Sequence, residues 1–371
     1  MTSFVESCVG TVAGSAVAAE RSARGRPRAA RLLKTLAGKK NILVTTHVHP
    51  DPDALASAAA LCALLEYKLK GVKVSMAIKG RIGGGINEVF VRHANLSLVP
   101  WDDATLKEYD AILLLDTQPP FQFNPLPPEV TPLGVIDHHR SRLTKPHCAF
   151  CDIRTDVGAT ASIIFSYFME LEVPIKPDLA ATLLYAIESD LAGAAGTPGE
   201  LDNVALSSLT LLADPRKLYQ MRYADLPQSY YANFSEGLLN AVYYDHVVLS
   251  HLDQIDSLER PAVLADFLLR FEKVDWALVT AGVDGKLILS LRCRTGTRMA
   301  AADMAKRLMR KIGEGGGHRT KAGGFVKLET NSPAEVERWR EVLRRRTLRA
   351  LHIKGARPQR LVPKPAPLRE P

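Results

Sequence analysis

Three strands predicted in this sequence each end in a residue that can bind a cation or a proton. The runs NILVTTH, YDAILLLDT and LGVIDHH are apolar and rich in β-branched residues, and they end at His47, at Asp116 and at Asp137-His138-His139. Helical patterns such as DALASAAALCALLEYKLKG lie between the strands, which predicts an α/β fold with a mostly parallel sheet. In open sheets of this class ligands bind beyond the carboxyl ends of the strands, so we expect these side chains to converge.

Further carboxylates lie beside these strand ends. Asp51 and Asp53 follow the first strand in HVHPDPDALAS, and Asp190 closes a predicted helix. Either of the first two could cap the next helix, and two adjacent histidines taken alone could be surface residues. The candidate metal ligands are His47, Asp51, Asp53, Asp116, His138 and Asp190, with His139 beside them. This set exceeds what one ion takes from a protein and predicts two divalent cations about 3.5–4 Å apart, with imidazole favouring Mn²⁺, Fe²⁺ or Zn²⁺.

A glycine-rich stretch and an arginine provide a second candidate site. In EGGGH, the residues Gly315, Gly316 and Gly317 precede His318 and could present backbone N–H groups to an anion. The same stretch could also be a flexible hairpin. Arg292 lies inward on a predicted strand, and its guanidinium suits a phosphate group. These five residues are therefore candidate substrate contacts.

Charge and composition limit the classes of function. Of the formal net charge of +8, residues 1–40 carry +6 and residues 352–371 carry +4, which leaves −2 for the body of the chain. The basic ends could be solvated tails or could help to hold an anionic substrate such as RNA. Five scattered cysteines fit a reducing cytoplasm, and Cys148 and Cys151 lack the second ligand pair of a zinc site. No apolar run reaches the ~18 residues that would span a membrane.

The motifs HVHPDPDALAS, LLLDT, VIDHH, ESDLAG, SLR and GGGH occur in the order found in the DHH phosphoesterase superfamily. Over about residues 30–345 the chain resembles the oligoribonuclease/pAp-phosphatase (nanoRNase) branch most closely. The resemblance implies a DHH domain that holds two Mn²⁺ ions and a smaller α/β DHH-associated domain that binds substrate, with a cleft between them. It is also compatible with a homodimer.

The resemblance also implies roles for individual residues. His47 and Asp51 would hold one ion, Asp53, His138 and Asp190 the other, and Asp116 would bridge them. Asp137 would orient the histidines, and His139 would contact the scissile phosphate or the leaving oxygen. Arg292, His318 and the amides of Gly315–Gly317 would grip the terminal phosphate or nucleotide.

We therefore predict an organisation in five segments. These are a flexible extension at 1–27, the metal-binding catalytic domain at 28–198, a helical connector at 199–240, the substrate-binding domain at 241–353 and a disordered, basic, proline-rich tail at 354–371. The predicted activity is hydrolysis of short RNA or of small nucleotides such as pAp and linear dinucleotides, by in-line attack of a metal-bound hydroxide. The rival functions are a RecJ-type exonuclease, a family II inorganic pyrophosphatase and a non-catalytic nucleotide sensor.

Overall fold

The computed structural model describes residues 27–80, 86–119, 121, 123–140, 148–191, 198–253, 255–317, 319–330 and 332–363. The predicted extension before Pro27 and the end of the predicted tail after Pro363 lie outside these residues. The described chain forms two compact units that divide between Ala224 and Asp225. Its helices include none with both the length and the apolar character needed to cross a bilayer.

The first unit alternates strands and helices along the chain. Its strands are β1 (Asn41–Thr46), β2 (Lys73–Ala77), β3 (Leu98–Val99), β4 (Ala111–Leu115), β5 (Gly134–Asp137) and β6 (Phe150–Ile153). Its helices are α1 (Arg28–Thr35), α2 (Pro52–Lys68), α3 (Ile86–Ala94), α4 (Thr160–Glu170), α5 (Pro177–Leu191), α6 (Glu200–Leu212) and α7 (Pro215–Arg222), with a 3₁₀ helix at Asp103–Glu108.

The six strands form one parallel sheet in the order β3-β2-β1-β4-β5-β6. The order reverses between β1 and β4, where Thr46 lies opposite Leu115 at the carboxyl ends. A reversal of this kind leaves a crevice at the strand ends, because the connections on either side run in opposite directions. The predicted α/β class with a mostly parallel first sheet is confirmed.

The apolar side chains of alternate strand positions enter two layers. Val44 and Leu113 face the helices and join the main core, while Leu43 and Leu114 face a smaller cluster that includes Leu106 of the 3₁₀ helix. Because both faces of the sheet are covered, its central strands are continuous apolar runs rather than alternating ones. This explains why AILLL is buried at every position.

The second unit is built on a seven-stranded mixed sheet in the order β11-β12-β10-β9-β8-β7-β13. Its strands are β7 (Val242–Tyr244), β8 (Val247–Leu252), β9 (Trp276–Val283), β10 (Lys286–Cys293), β11 (Glu314–Gly317), β12 (Lys321–Lys327) and β13 (Gln359–Arg360). Its helices are α8 (Gln228–Asn240), α9 (Arg260–Leu268), α10 (Ala301–Met309) and α11 (Pro333–Ala350). Among the described strands of this second sheet, only β8 and β9 pair in parallel, and α9 connects them.

The predicted turn at VDGK joins β9 to β10. Asp284 and Gly285 both have positive φ angles, 46° and 69°, which is the backbone of a tight hairpin with right-handed twist. The segment predicted as a connector divides between the units: Leu209 of α6 packs in the first core and Phe234 of α8 in the second. The boundaries at 198/199 and 240/241 stay predictions.

Candidate metal centre

The carboxyl ends of β1, β4 and β5 place chemically active residues at the reversal of the first sheet. His47 follows β1, Asp116 follows β4, and Asp137 is the last residue of β5. The helices α2 and α5 bring Asp53 and Asp190 to the same edge. The geometry of parallel sheets predicted that these distant segments would converge, and the structure brings them together.

Among the residues that the structure describes, potential ligand atoms form three groups, and within each group all atoms lie within 4.8 Å of one another. The groups are His47, Asp51 and Asp116; Asp53, His138 and Asp190; and Asp116, His138 and His139. Together they contain every predicted metal ligand. The first two groups contain the residues that the family resemblance assigned to the two ions. The assignment of each residue to an ion stays a prediction.

Asp116 lies between the groups and adopts an uncommon backbone conformation. Its φ angle is 56°, in the left-handed region, and its side chain is buried. One carboxylate oxygen, Oδ2, lies 3.5 Å from His47 Nε2, while Oδ1 lies 3.5 Å from His138 Nε2. Thr160 Oγ1 donates a hydrogen bond to Oδ1 at 2.7 Å. The two oxygens therefore face different groups, as a bridging carboxylate requires.

The two histidines are oriented through their other ring nitrogens. His47 Nδ1 lies 3.1 Å from the carbonyl oxygen of Val48, and His138 Nδ1 lies 3.3 Å from that of Val157. A carbonyl can only accept, so each Nδ1 carries a proton and each Nε2 faces the carboxylates, where it could give its lone pair to a cation. This arrangement is usual for histidines that ligate metals.

Asp51 and Asp53 both bind helix N-termini, as expected of aspartates that precede a helix. Asp51 Oδ1 accepts from Ala54 N at 3.1 Å and caps α2. Asp53 instead accepts from Thr160 N and Ala161 N, at 2.7 and 2.8 Å, at the start of α4. Capping and metal binding are compatible, because a carboxylate has about four lone-pair sites.

Asp190 lies in the last turn of α5, with its Oδ2 3.6 Å from His138 Nε2. A carboxylate is unfavourable there because the C-terminus of a helix carries partial negative charge. A cation held by the group that contains Asp190 would remove that penalty.

The electrostatics of the centre show an excess of negative charge. Burial and the charges of Asp116, Asp190 and Asp51 raise the pKa of Asp53 well above its usual value. Burial lowers the pKa of His47, but its close contact with Asp116 and the charges of Asp51 and Asp116 outweigh this and raise it to about 9. Such a site retains protons that a divalent cation can replace, so the residues fit a pair of cations.

The buried residues Asp137 and Gln118 form a cluster with the partly exposed His139 next to these groups. Asp137 Oδ1 accepts from the backbone N and the Nδ1 of His139, at 3.1 and 2.7 Å. Its Oδ2 accepts from Gln118 Nε2 at 2.7 Å, and the same nitrogen lies 2.9 Å from the carbonyl oxygen of His139. Burial lowers the pKa of His139, but the charge of Asp116 and the bond to Asp137 raise it to about 10. The ring of His139 is thus held on its Nδ1 side.

Two of the supporting residues could not be predicted from the sequence. Gln118 follows Asp116 by two positions in LLLDTQPP, where the prolines indicated only a turn. Thr160 begins α4 and gave no signal beyond an ordinary helix start. The only available clue for Gln118 was its place at the end of a ligand-bearing strand.

The predicted substrate contacts lie in the second unit. Arg292 Nε donates to Asp266 Oδ1 at 2.7 Å, and its Nη1 donates to Ser290 Oγ and to the carbonyl oxygen of Leu291. This arginine is therefore engaged by a carboxylate of α9. Its role as a phosphate contact stays a prediction.

The glycine run forms the edge strand β11 rather than a loop. A Cβ atom on Gly315 would lie 2.9 Å from the carbonyl oxygen of Ala305, so close packing against α10 requires glycine there. At Gly316 a Cβ would meet nothing within 4 Å, and Gly317 has a φ angle of 144°. The predicted contact His318 lies outside the described residues, and anion binding by the three glycines stays a prediction.

Comparisons with known proteins agree with this geometry. The DHH family, N-terminal domain, matches residues 41–187, a range that contains every residue of the three groups except Asp190. An uncharacterized protein of Methanocaldococcus jannaschii is 30% identical over 338 residues, which cover 89% of this chain and 68% of that protein.

A probable manganese-dependent inorganic pyrophosphatase of Bacillus licheniformis is 30% identical over 149 residues, or 40% of this chain and 47% of that protein. The chain thus spans about half the length of this relative. Among solved structures, an exopolyphosphatase-related protein from Bacteroides fragilis covers 87% of this chain and 97% of its own, with a TM-score of 0.69 and 17% identity. Because the sequence identity to this protein is only 17%, the similarity concerns the fold alone.

Proposed function

The chain belongs to the DHH family, and from that premise we propose that it is a hydrolase that cleaves phosphoester bonds with two divalent cations, most favourably Mn²⁺. The observation that carries this proposal is the position of Asp116. Its two oxygens face two separate groups of ligand atoms, and His47 and His138 each turn Nε2 towards it. A purely structural cluster would pair these charges directly, and the N···O separations of 3.5 Å are too long for good hydrogen bonds.

Two divalent cations in these groups would polarise a phosphoryl oxygen and lower the pKa of a water molecule, as in other two-metal hydrolases. The protein's own residues hold the ligand side chains in position. The carbonyl oxygens of Val48 and Val157 hold His47 and His138 in the tautomer that offers Nε2. Thr160 and the start of α4 fix the carboxylates of Asp116 and Asp53. Because these side chains are already held in place, little reorganisation is needed during the reaction.

His139 is proposed to contact the scissile phosphate or to give a proton to the leaving oxygen. Asp137 holds its Nδ1, so the imidazole keeps one orientation, and Gln118 holds Asp137 in turn. The arrangement resembles the way in which an acid orients a catalytic histidine in other hydrolases. A partly exposed ring next to a buried acid suits this role.

The proposed substrates are short RNA oligonucleotides and small nucleotides such as pAp and linear dinucleotides. The sequence motifs of the nanoRNase branch support this choice, and Arg292 with the glycine strand provides candidate phosphate contacts in the second unit. Pyrophosphate is the second candidate, because a relative bears the name of a manganese-dependent inorganic pyrophosphatase. A RecJ-type exonuclease would instead cut longer single strands, and a nucleotide sensor would bind without turnover.

The test is a substrate panel of pAp, two- to five-nucleotide RNA, longer single strands, cyclic dinucleotides and pyrophosphate, each with Mn²⁺, Mg²⁺ or Zn²⁺. The control is Asp116→Asn, since asparagine tolerates the left-handed backbone but removes the charge. We expect turnover of the short substrates to fall at least about 100-fold in this variant while its circular dichroism stays unchanged. Turnover that survives EDTA, or saturable binding without turnover, would contradict the proposal.

A further inference from the structure

The charge of the second unit is strongly divided along its sequence. Residues 225–284 carry a formal charge of −7, whereas residues 285–363 carry +14. The small net charge of the chain between its basic ends therefore conceals a strongly basic segment, because acidic segments elsewhere offset it.

The helices on the two faces of the sheet differ in charge. Val248 and Val279 pack with α8 and α9, which together carry a formal charge of −1. Leu289 and Leu291 pack on the other face with α10 and α11, which together carry +4. The excess of basic residues in these helices therefore belongs to α10 and α11.

Within α11 the charges change from balanced to basic. Its acidic residues all lie in the first half and pair with arginines three residues later, as in Glu337 with Arg340 at 2.7 Å and Glu341 with Arg344 at 2.6 Å. From residue 342 to residue 363 the sequence has seven Lys or Arg and no Asp or Glu. Of these, Arg345 retains a longer contact with Glu341, at 3.6 Å.

A hydrogen-bonded arginine links this basic stretch to the end of α10. Arg346 Nη1 donates to the carbonyl oxygens of Leu308 and Arg310, at 2.5 and 2.9 Å. Arg349 lies one turn further along α11 from Arg346. The exposed cations that flank this link along the chain are Arg307, Arg310 and Lys311 at the end of α10 and Arg345 and Arg349 in α11, and we call these five residues the basic patch.

Helix stability explains only part of this patch. A cation in the last turn of a helix interacts favourably with the partial negative charge there, typically by about 0.3–1 kcal/mol. Arg346 already satisfies two carbonyl groups at the end of α10. Five further exposed cations repel one another and destabilise the folded state slightly, so a purely structural role does not require them.

We propose that the basic patch binds the phosphodiester backbone of single-stranded nucleic acid, with RNA as the expected form. This inference rests on the proposed function, which makes oligoribonucleotides the relevant polyanions. Four of the five cations are arginines, whose forked donors match phosphate oxygens better than they match the scattered carboxylates of an acidic protein. Cations on two neighbouring helix ends can also contact successive phosphates of one strand.

The test measures binding of a labelled oligouridylate of about 20 nucleotides by fluorescence anisotropy, in EDTA so that hydrolysis cannot interfere. The full chain is compared with the triple variant Arg310→Ala/Arg345→Ala/Arg349→Ala across about 50–200 mM salt. For single strands each neutralised phosphate adds about −0.7 to the slope of log K against log salt, so we expect a slope smaller by about 2. The dissociation constant should rise roughly 10-fold or more.

The matched control is Lys70→Ala/Lys73→Ala/Lys176→Ala, which removes the same net charge from exposed positions of the first unit. We expect this variant to bind like the unmodified chain. Equal losses in both variants, salt-independent binding, or equal affinity for polyglutamate of the same charge would overturn the inference. Because the assay needs no turnover, its outcome is distinct from that of the substrate panel.

Discussion

Thr160 is the residue whose hydroxyl group most directly orders the metal centre. It donates to Asp116 Oδ1 at 2.7 Å while its backbone N–H donates to Asp53. Thr160→Val keeps the shape and the backbone bond but removes the hydroxyl donor. Loss of such an outer contact typically weakens metal affinity by about 10- to 100-fold, and we expect a loss in this range. Isothermal titration with Mn²⁺ measures it without any substrate.

Thr160→Ser is the matched control because serine restores the donor. We expect its Mn²⁺ affinity to lie within about threefold of the unmodified chain. If Thr160→Ser weakens binding as much as Thr160→Val, packing of the methyl group matters instead of the hydrogen bond. Unchanged affinity in both variants would show that Thr160 does not order the centre.

At the residue scale, the sequence indicated the residues that converge at the sheet edge better than those that hydrogen-bond to them. His47, Asp116 and His138 could be found because each follows a recognisable buried strand, and parallel strands end at a common edge. Thr160 donates a hydrogen bond to Asp116, which lies 44 residues away in the sequence. Gln118 donates a hydrogen bond to Asp137, at a separation of 19 residues. Hydrogen bonds between such distant residues leave no periodic pattern in the sequence.

The start of α11 is an element with a defined dependence on pH. Ser332 Oγ accepts from Glu335 N, while the carboxylate of Glu335 accepts from the N–H groups of Glu329 and Thr330, at 3.0 and 2.8 Å. These backbone bonds lower the pKa of Glu335 from its usual value near 4.5 to about 2. The ionised form is thus favoured by folding.

A lowered pKa means that the stabilisation is complete above pH 4.5 and is lost as the pH falls towards 2. We expect Glu335→Gln to lower the free energy of unfolding at pH 7. The difference in this free energy between the variant and the unmodified chain should shrink as the pH falls towards 3. Urea unfolding at several pH values measures this. Glu337→Gln, which removes an exposed pair with Arg340, is the control and should show little effect. If the difference in free energy between Glu335→Gln and the unmodified chain grew on acidification, the pKa of Glu335 would not be lowered by folding.

At the element scale, the glycine-rich segments show where prediction from sequence stops. From the sequence, EGGGH could be an anion-binding stretch or a flexible hairpin, and glycine is poorly represented in strands. The structure pairs Gly315 with Gly324 and Gly316 with Gly323 in neighbouring strands. Close approach of α10 requires residues without side chains at Gly315, and this tertiary requirement overrides the local preference. The long helices and buried strands were predictable because their apolar patterns are local.

The whole molecule should separate at Ala224/Asp225 rather than after α8. A fragment of residues 225–363 retains Phe234 and Leu238 of α8 against the core of the second sheet, whereas a fragment of residues 241–363 loses them. Fully burying such a side chain contributes roughly 1.5–3 kcal/mol, and because these two are partly buried the shorter fragment should be less stable by about 2 kcal/mol. Thermal unfolding followed by circular dichroism compares the two. Equal melting temperatures would show that α8 is a connector after all.

The division between units could not be read from the sequence because residues 199–240 have one uniform helical texture. Which helix packs on which core depends on the direction of each apolar face in space. Leu218 and Met221 of α7 belong to the first core, and the tyrosine-rich start of α8 belongs to the second unit. The change in polarity at Gly199 marked the beginning of this region but not its division.

The positive φ angle of Asp116 has a consequence for how this gene can vary over generations. Glycine adopts that backbone freely, and among the other amino acids asparagine, aspartate and histidine adopt it most often. Glycine has no ligand atom, asparagine has no charge, and histidine has a ring nitrogen in place of two charged oxygens, so most changes of the residue encoded at codon 116 harm either folding or chemistry. Lineages that abandon the chemistry should therefore first show asparagine, glycine or histidine at this codon.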